Sequence, residues 1–183
     1  ANALRCKVFP PSVAKRLVDF AWTFSPQEGI RLSLAFGLGV EQFVADHPLA
    51  PNDLHFALLE TLRTGAVSAS FLLSHVQSLQ DRVTGTQPSP APFQTIEAIN
   101  ELLAAAYQRH ALALLPFLQD LTTLHLRHLA LLPSLPPSTL ISIFTTLTAL
   151  QSVVHGAFSP NFSLLLPLFA SFLTAFAQNH YFH

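Results

Sequence analysis

Apolar residues recur along this chain at intervals of three and four, which is the pattern of helices with one buried side. Val13, Leu17, Phe20, Ala21 and Phe24 share one side of a helix over Ser12–Phe24, entered through Pro11 and Ser12. Such a helix is amphipathic, and its apolar side is expected to face a core. Ser25-Pro26-Gln27-Glu28 reads as the start of a second helix, with Ser25 as N-cap, Pro26 at the first helical position and Glu28 reaching back as in a capping box. This helix is expected to reach about Asp46. Its glycines Gly29, Gly37 and Gly39 each cost up to about 1 kcal/mol in a helix interior, so close packing or a break near Gly37 is predicted.

His47-Pro48 stops that run, and Pro51-Asn52-Asp53 opens a helix carrying Leu54, Ala57, Leu58 and Leu62 up to Gly65. Ala66–Arg82 is its return partner. A polar, proline-rich stretch without helical period follows at residues 84–93, the one clear linker. It divides the chain into residues 1–83 and 94–183. Thr95 or Gln94 begins a helix with Ile96, Ile99, Leu102, Leu103 and Ala106 on one side, ending near Arg109. Segments over Ala111–Leu121 (interrupted by Pro116), Thr123–Leu132, Ser138–Val154 and Phe162–Ala177 come next, punctuated by Pro133, Pro136, Pro137, Gly156 and Pro160. No stretch shows β-alternation. The fold class is all-α, with about eight or nine helices in antiparallel hairpins that stack as a short α-solenoid-like array.

Two segments, 124–150 and 150–176, superpose at a shift of about 25 residues: a short apolar helix, a Pro/Ser turn, then a longer helix. Residues 16–36 share this grammar and residues 58–76 follow it loosely. An isolated hairpin of this kind cannot bury its apolar side, so neighbours must share a core.

Composition sharpens the picture. Half of the 183 residues are hydrophobic and only 10% are charged, against roughly 25% in an average soluble domain. From His128 to His183 there is no Asp, Glu, Lys or Arg. Such a stretch is expected to be covered by its own domain, by partner proteins or by lipid. The net charge of −1 excludes a protein that holds nucleic acid by bulk electrostatics, while leaving local basic faces open. One cysteine, Cys6, excludes an intramolecular disulfide framework. Arg5, Lys7, Lys15 and Arg16 precede the first acid, Asp19, and the chain lacks Met; this beginning suits the region beside a removed organellar transit peptide.

The segment LVDFAWTFSPQ, residues 17–27, and more loosely residues 126–147, resembles the helical hairpins of heptatricopeptide and octotricopeptide-like repeat proteins. These occur with RAP domains and in FAST-kinase-like proteins. The resemblance implies a mitochondrial or plastid address and a role with RNA, as a transcript binder or a member of a divergent organellar ribosome. The chain departs from the family in having no RAP domain and few basic residues, which favours a scaffold over a reader of sequence.

Candidate chemistry is sparse. Arg63, Arg109 and Arg127 each lie near a predicted helix end, where a stacked array would line them up towards phosphate. Cations also favour helix C-termini through the macrodipole alone. His125 and His128, like His180 and His183, are spaced i, i+3 as metal ligands can be, but only Asp120 is near the first pair, so scattered polar histidines are the expectation and no metal or cofactor is assigned. The G-L-G of residues 37–39 lacks the strand and third glycine of a dinucleotide loop. No serine sits in a nucleophile elbow. Trp22 and the phenylalanines could stack bases, although at helical spacing they read as core.

Ser138–Val154 and Phe162–Ala177 outline a transmembrane hairpin, but each is shorter than the roughly 20 residues a span needs. The first also has sides: Leu140, Ile141, Phe144, Leu147, Leu150 and Val154 on one, Ser142, Thr145, Thr146 and Ser152 on the other. Phe144, Phe169, Phe172 and Phe176 are therefore candidates for a partner interface. The expectation is a noncatalytic, RNA-associated architectural subunit of a large organellar ribonucleoprotein, most specifically a divergent mitochondrial ribosome, with other subunits and rRNA as partners. The rival is an accessory subunit of a mitochondrial membrane complex whose C-terminal hairpin meets lipid.

Overall fold

The computed structural model describes residues 9–47, 49–64, 67–84, 92–131 and 135–157, with isolated positions 170, 173, 174 and 177; for 153–157 only the backbone is described. Most of the helix expected over Phe162–Ala177, including Phe169, Phe172 and Phe176, lies outside the described residues. The described residues are mostly helical, with no strand among them. In chain order the helices are α1 (Pro11–Phe24), α2 (Pro26–Ala35), α3 (Val40–Asp46), α4 (Pro51–Thr64), α5 (Ala69–Thr84), α6 (Pro92–Leu114), α7 (Leu118–Ala130) and α8 (Pro137–Ala157). A 3-10 turn, Leu115–Phe117, joins α6 to α7 where Pro116 denies the α-helix a donor. The chain divides into two compact units, 1–72 and 73–183, at a boundary inside α5. Residues 85–91 of the predicted linker lie outside the described residues.

In the first unit, α1 packs against α2. They meet closely because Gly29 has no side chain: a Cβ there would stand 3.1 Å from the Cα of Trp22. Ser25 is the N-cap and Pro26 the first helical residue, as the sequence predicts, but the capping box does not form. Glu28 instead accepts from Arg31 at 2.7 Å on the exposed side. The break expected near Gly37 occurs. Gly37 has φ 76°, and two bonds, Leu38 N–H to Ser33 O and Gly37 N–H to Leu34 O, both 3.0 Å, make a Schellman cap. The chain then restarts as α3.

The core side of α1 corrects the sequence reading. Ala14 and Val18 are buried, whereas Val13, Leu17, Phe20 and Phe24 are all exposed, Phe24 at 75%. The reason lies in Gly29: α2 approaches α1 on the side of Trp22, roughly opposite the apolar stripe. The larger residues are consequently left outward.

The second unit is built on α6 and α8, which run against one another. Ile96, Ile99, Leu102, Leu103 and Ala106 of α6 are fully buried, as are Ile143, Leu147 and Leu150 of α8. Each such aliphatic contributes about 1.5–3 kcal/mol through removal from water. Polar bonds fix the register of the pair. Glu97 Oε1 accepts from Ser138 Oγ at 2.8 Å and from Thr139 Oγ1 at 2.7 Å, and Thr146 Oγ1 is 2.9 Å from the carbonyl oxygen of Asn100.

Three boundaries shift. α6 starts at Pro92 rather than at Gln94 or Thr95, because proline is well suited to the first helical position. It also runs past Arg109 to Leu114, through a non-helical residue at His110. α5 begins at Ala69 rather than Ala66, where Ser68 Oγ accepts from Phe71 N–H at 3.3 Å and Glu41 holds Ser68 N–H at 3.1 Å. On α8 the predicted sides hold for Leu140, Leu147 and Leu150, which are buried, and for Thr145 and Ser152, which are exposed, but Thr146 is buried while Ile141 and Phe144 are exposed at 67% and 48%. Thr139 and Thr146 face α6 because they carry the bonds that join the helices.

Gly29→Val forces a branched side chain against the Trp22 backbone, so the protein is expected to lose about 1–3 kcal/mol. The urea unfolding midpoint measures this, and an unchanged midpoint contradicts the close contact.

Candidate functional site

The densest polar chemistry in the described chain lies inside the second unit. On α7, Leu118, Leu121, Thr122, His125, His128 and Leu129 are buried and recur at three- and four-residue steps, so one helical stripe carries both leucines and histidines inward. His125 and His128 are fully buried. The sequence reading treated them as scattered polar residues, and burial corrects it. Their rings lie 6.4 Å apart. His125 Nε2 is joined to the hydroxyl of Tyr107, from α6, by a 3.0 Å hydrogen bond. His128 donates from Nε2 to Gln80 Oε1, from α5, at 2.8 Å. Helices α5 and α6 are thereby tied to α7 by hydrogen bonds that work only in one register.

Each ring nevertheless keeps one nitrogen, Nδ1, buried without a hydrogen-bond partner. A neutral imidazole can leave one nitrogen as an unused acceptor, but an imidazolium must place N–H on both. Protonation would thus create a buried donor with no acceptor, beside the cost of burying charge. Burial, with the neighbouring His128 second, pushes His125 down to about 3. Burial alone pushes His128 down to about 4. The Tyr107 hydroxyl is raised far above its ordinary value by burial. All three are neutral at physiological pH.

Such a cluster can hold helices together, but its reactive atoms are closed to solvent. Asp120, the acid nearest in sequence, is exposed on α7, away from the buried pair. Among the described residues no group of three or more His, Cys, Asp or Glu is placed to hold a metal ion. His180 and His183 lie outside them.

A second cluster, in the first unit, was not anticipated. His47 stacks on Phe43 at 4.5 Å and lies 5.1 Å from Trp22. Its Nε2 is 3.2 Å from Asp19 Oδ1 and its Nδ1 is 3.3 Å from Phe43 O, so both nitrogens face acceptors. Beside it Lys15 and Asp46 pair at 3.0 Å. This hydrogen bond and the opposite charge raise the lysine pKa and lower the aspartate pKa. Trp22 is part of this packing, not a free stacking platform.

The candidate arginines are divided between the two units. Arg63, in the last turn of α4, pairs with Glu60 at 3.0 Å in the first unit. Arg127 is exposed in the last turn of α7, and Arg109 is exposed one residue before the irregular His110, both in the second unit. Arg63 and Arg127 sit where the macrodipole favours cations.

Comparison with known protein families, curated proteins and solved structures finds no match for this chain.

The histidine pair makes stability depend on pH. Its folded pKa values lie below the unfolded value of about 6.5, so its neutral form is favoured by folding and the unfolded chain takes up more protons. The stability is expected to be complete above about pH 6.5, to fall on acidification by up to about 1.4 kcal/mol per pH unit for each histidine, and to level off near the folded values. Urea titrations between pH 7 and 4 measure the slope, and the variant with His125→Leu and His128→Leu should flatten it. Tyr107→Phe, which leaves His125 Nε2 buried and unpaired, should cost about 1–3 kcal/mol at neutral pH.

Proposed function

We propose that the protein is a noncatalytic architectural subunit of a large organellar ribonucleoprotein, most specifically a divergent mitochondrial ribosome, its helices forming a short α-solenoid-like array of stacked hairpins with about eight or nine members. The observation that carries the reading is apolar surface left outward in a charge-poor chain. Phe20 and Phe24 on α1, Leu112 on α6 and Ile141 on α8 are each more than 60% exposed. Phe20 and Phe24 meet edge to face with ring centroids 4.8 Å apart, and contiguous apolar surface of that kind marks a place where another molecule sits. The best-formed polar cluster is sealed inside a core, which suits a structural role. The RNA and organelle parts of the reading rest on the hairpin resemblance of residues 17–27.

RNA contact in this reading falls to Arg63, Arg109 and Arg127, all exposed, acting as scattered phosphate contacts. Protein contact falls to the outward side of α8 at Phe144 and to the tail phenylalanines. A membrane-complex subunit is the competing class. Among the described residues no helix is long and apolar enough to cross a membrane.

The chain has only two lysines, Lys7 and Lys15, so amine cross-linkers would report little. Photo-leucine incorporated in living cells, followed by irradiation and mass spectrometry, suits it better. The expected result is cross-links to subunits of one large particle, co-sedimentation with it, and release by ribonuclease or high salt. Sedimentation alone at its own mass, or release only by detergent, contradicts the proposal.

A further inference from the structure

Breaks in the chain set α7 apart from the helices beside it. It starts directly after the 3-10 turn Leu115–Phe117, and α6 is already irregular at His110, with φ −128° and ψ 27°. Element ends of this kind absorb changes of direction as hinges do, so α7 can swing out while residues 92–109 of α6 stay helical. The polar bonds from its inward stripe to other helices end on imidazoles, Tyr107 with His125 and Gln80 with His128. α6 and α8 are joined differently, by fully buried aliphatics and by hydroxyl bonds to Glu97 and to the Asn100 carbonyl.

Among the described residues no acceptor awaits a second proton on either ring. His125 faces Tyr107 of α6 and His128 of its own helix, and His128 faces Gln80 of α5, while both Nδ1 atoms are buried without a partner. The buried ionisable group of α5, His75, is itself an imidazole. Asp81 and Arg82 of α5, Glu101 and Arg109 of α6, and Asp120 and Arg127 of α7 are exposed, His110 of α6 is half-buried, and α8 has no Asp, Glu, Lys or Arg. Water can accept from both protonated rings only after the helix has left. We infer that α7 is an acid-released segment, leaving α5 and α6 by a hinge at Leu115–Phe117 when His125 and His128 take up one proton each, while α6 and α8 remain packed.

This places the acid response of the second unit in one helix and fixes its proton count. When α7 is closed, burial holds His125 down at about 3 and His128 at about 4; in water each returns to about 6.5. The closed form is fully favoured above about pH 6.5 and loses ground as pH falls towards the closed values. Two protons make the opening constant rise about fiftyfold between pH 6 and pH 5, where one proton gives about sevenfold.

Native-state hydrogen exchange on the full chain tests this, corrected for the intrinsic rate at each pH and kept above the ordinary carboxylate range of about 4. Amides of α7 are expected to exchange at least tenfold faster than those at 96–106 and 140–150, and to lose about fiftyfold of their protection from pH 6 to pH 5. Global unfolding carries the same two protons, so low urea separates the routes: it should speed exchange in α6 and α8 more than in α7, whose opening exposes less surface. His128→Leu should reduce the loss in α7 to about sevenfold. Equal protection and equal urea dependence in all three helices overturn the inference, as does protection in α7 that acid leaves unchanged.

Discussion

The second unit depends on keeping two histidines uncharged in a core of leucine and isoleucine. Tyr107 and Gln80 supply one hydrogen bond each to His125 and His128, which offsets part of the cost of burying the rings. Neither Nδ1 has a partner, so the arrangement tolerates only the neutral state. That restriction has a benefit. Aliphatic side chains alone allow helices to slide by a turn with little loss, whereas a bond between named atoms on α5 and α7, and another between α6 and α7, penalises every other register. Glu97 with Ser138 and Thr139, and Asn100 with Thr146, do the same between α6 and α8.

The absence of charge beyond His128 takes on a different meaning with α8 in view. A helix without charged residues need not be covered on all sides. Thr145, Thr148 and Ser152 are exposed and return their hydroxyls to the backbone carbonyls of Ile141, Phe144 and Thr148, four residues before each. These hydroxyls give the outer side partial polarity without any ion. Ile141 and Phe144 beside them stay outward. The result is an outer side of intermediate polarity. α1 presents a more strongly apolar side, with Phe20 and Phe24 outward.

Much of the fold was legible in the chain. Helix class, the break at Gly37, the proline starts of α2 and α4 and the buried side of α6 all follow from local grammar, because prolines, glycines and three-four spacing act within a single turn or helix. The core side of α1 was not legible, and that of α8 only in part, since Leu140, Leu147 and Leu150 are buried as expected but Ile141 and Phe144 are not. An apolar stripe shows that a helix has two sides but not which one meets its neighbour, and in α1 a single small residue on α2, Gly29, decided that the neighbour would arrive at Trp22. Glu28 was misread because an i, i+3 arginine competes for the same carboxylate. The histidine pair was half legible: His125 and His128 keep step with Leu118 and Leu121, which signals burial, but Tyr107 and Gln80 lie 18 and 48 residues from the rings they bond, beyond the reach of any local pattern.

Imidazole nitrogen resonances, followed by long-range proton–nitrogen correlation from pH 7 to pH 5, test the central claim most directly. The account predicts two rings that stay neutral throughout, with the proton of His128 on Nε2. Two rings that titrate near the ordinary imidazole value of about 6.5 would show that the core does not exclude the charged form, and the structural role assigned to the pair would fail.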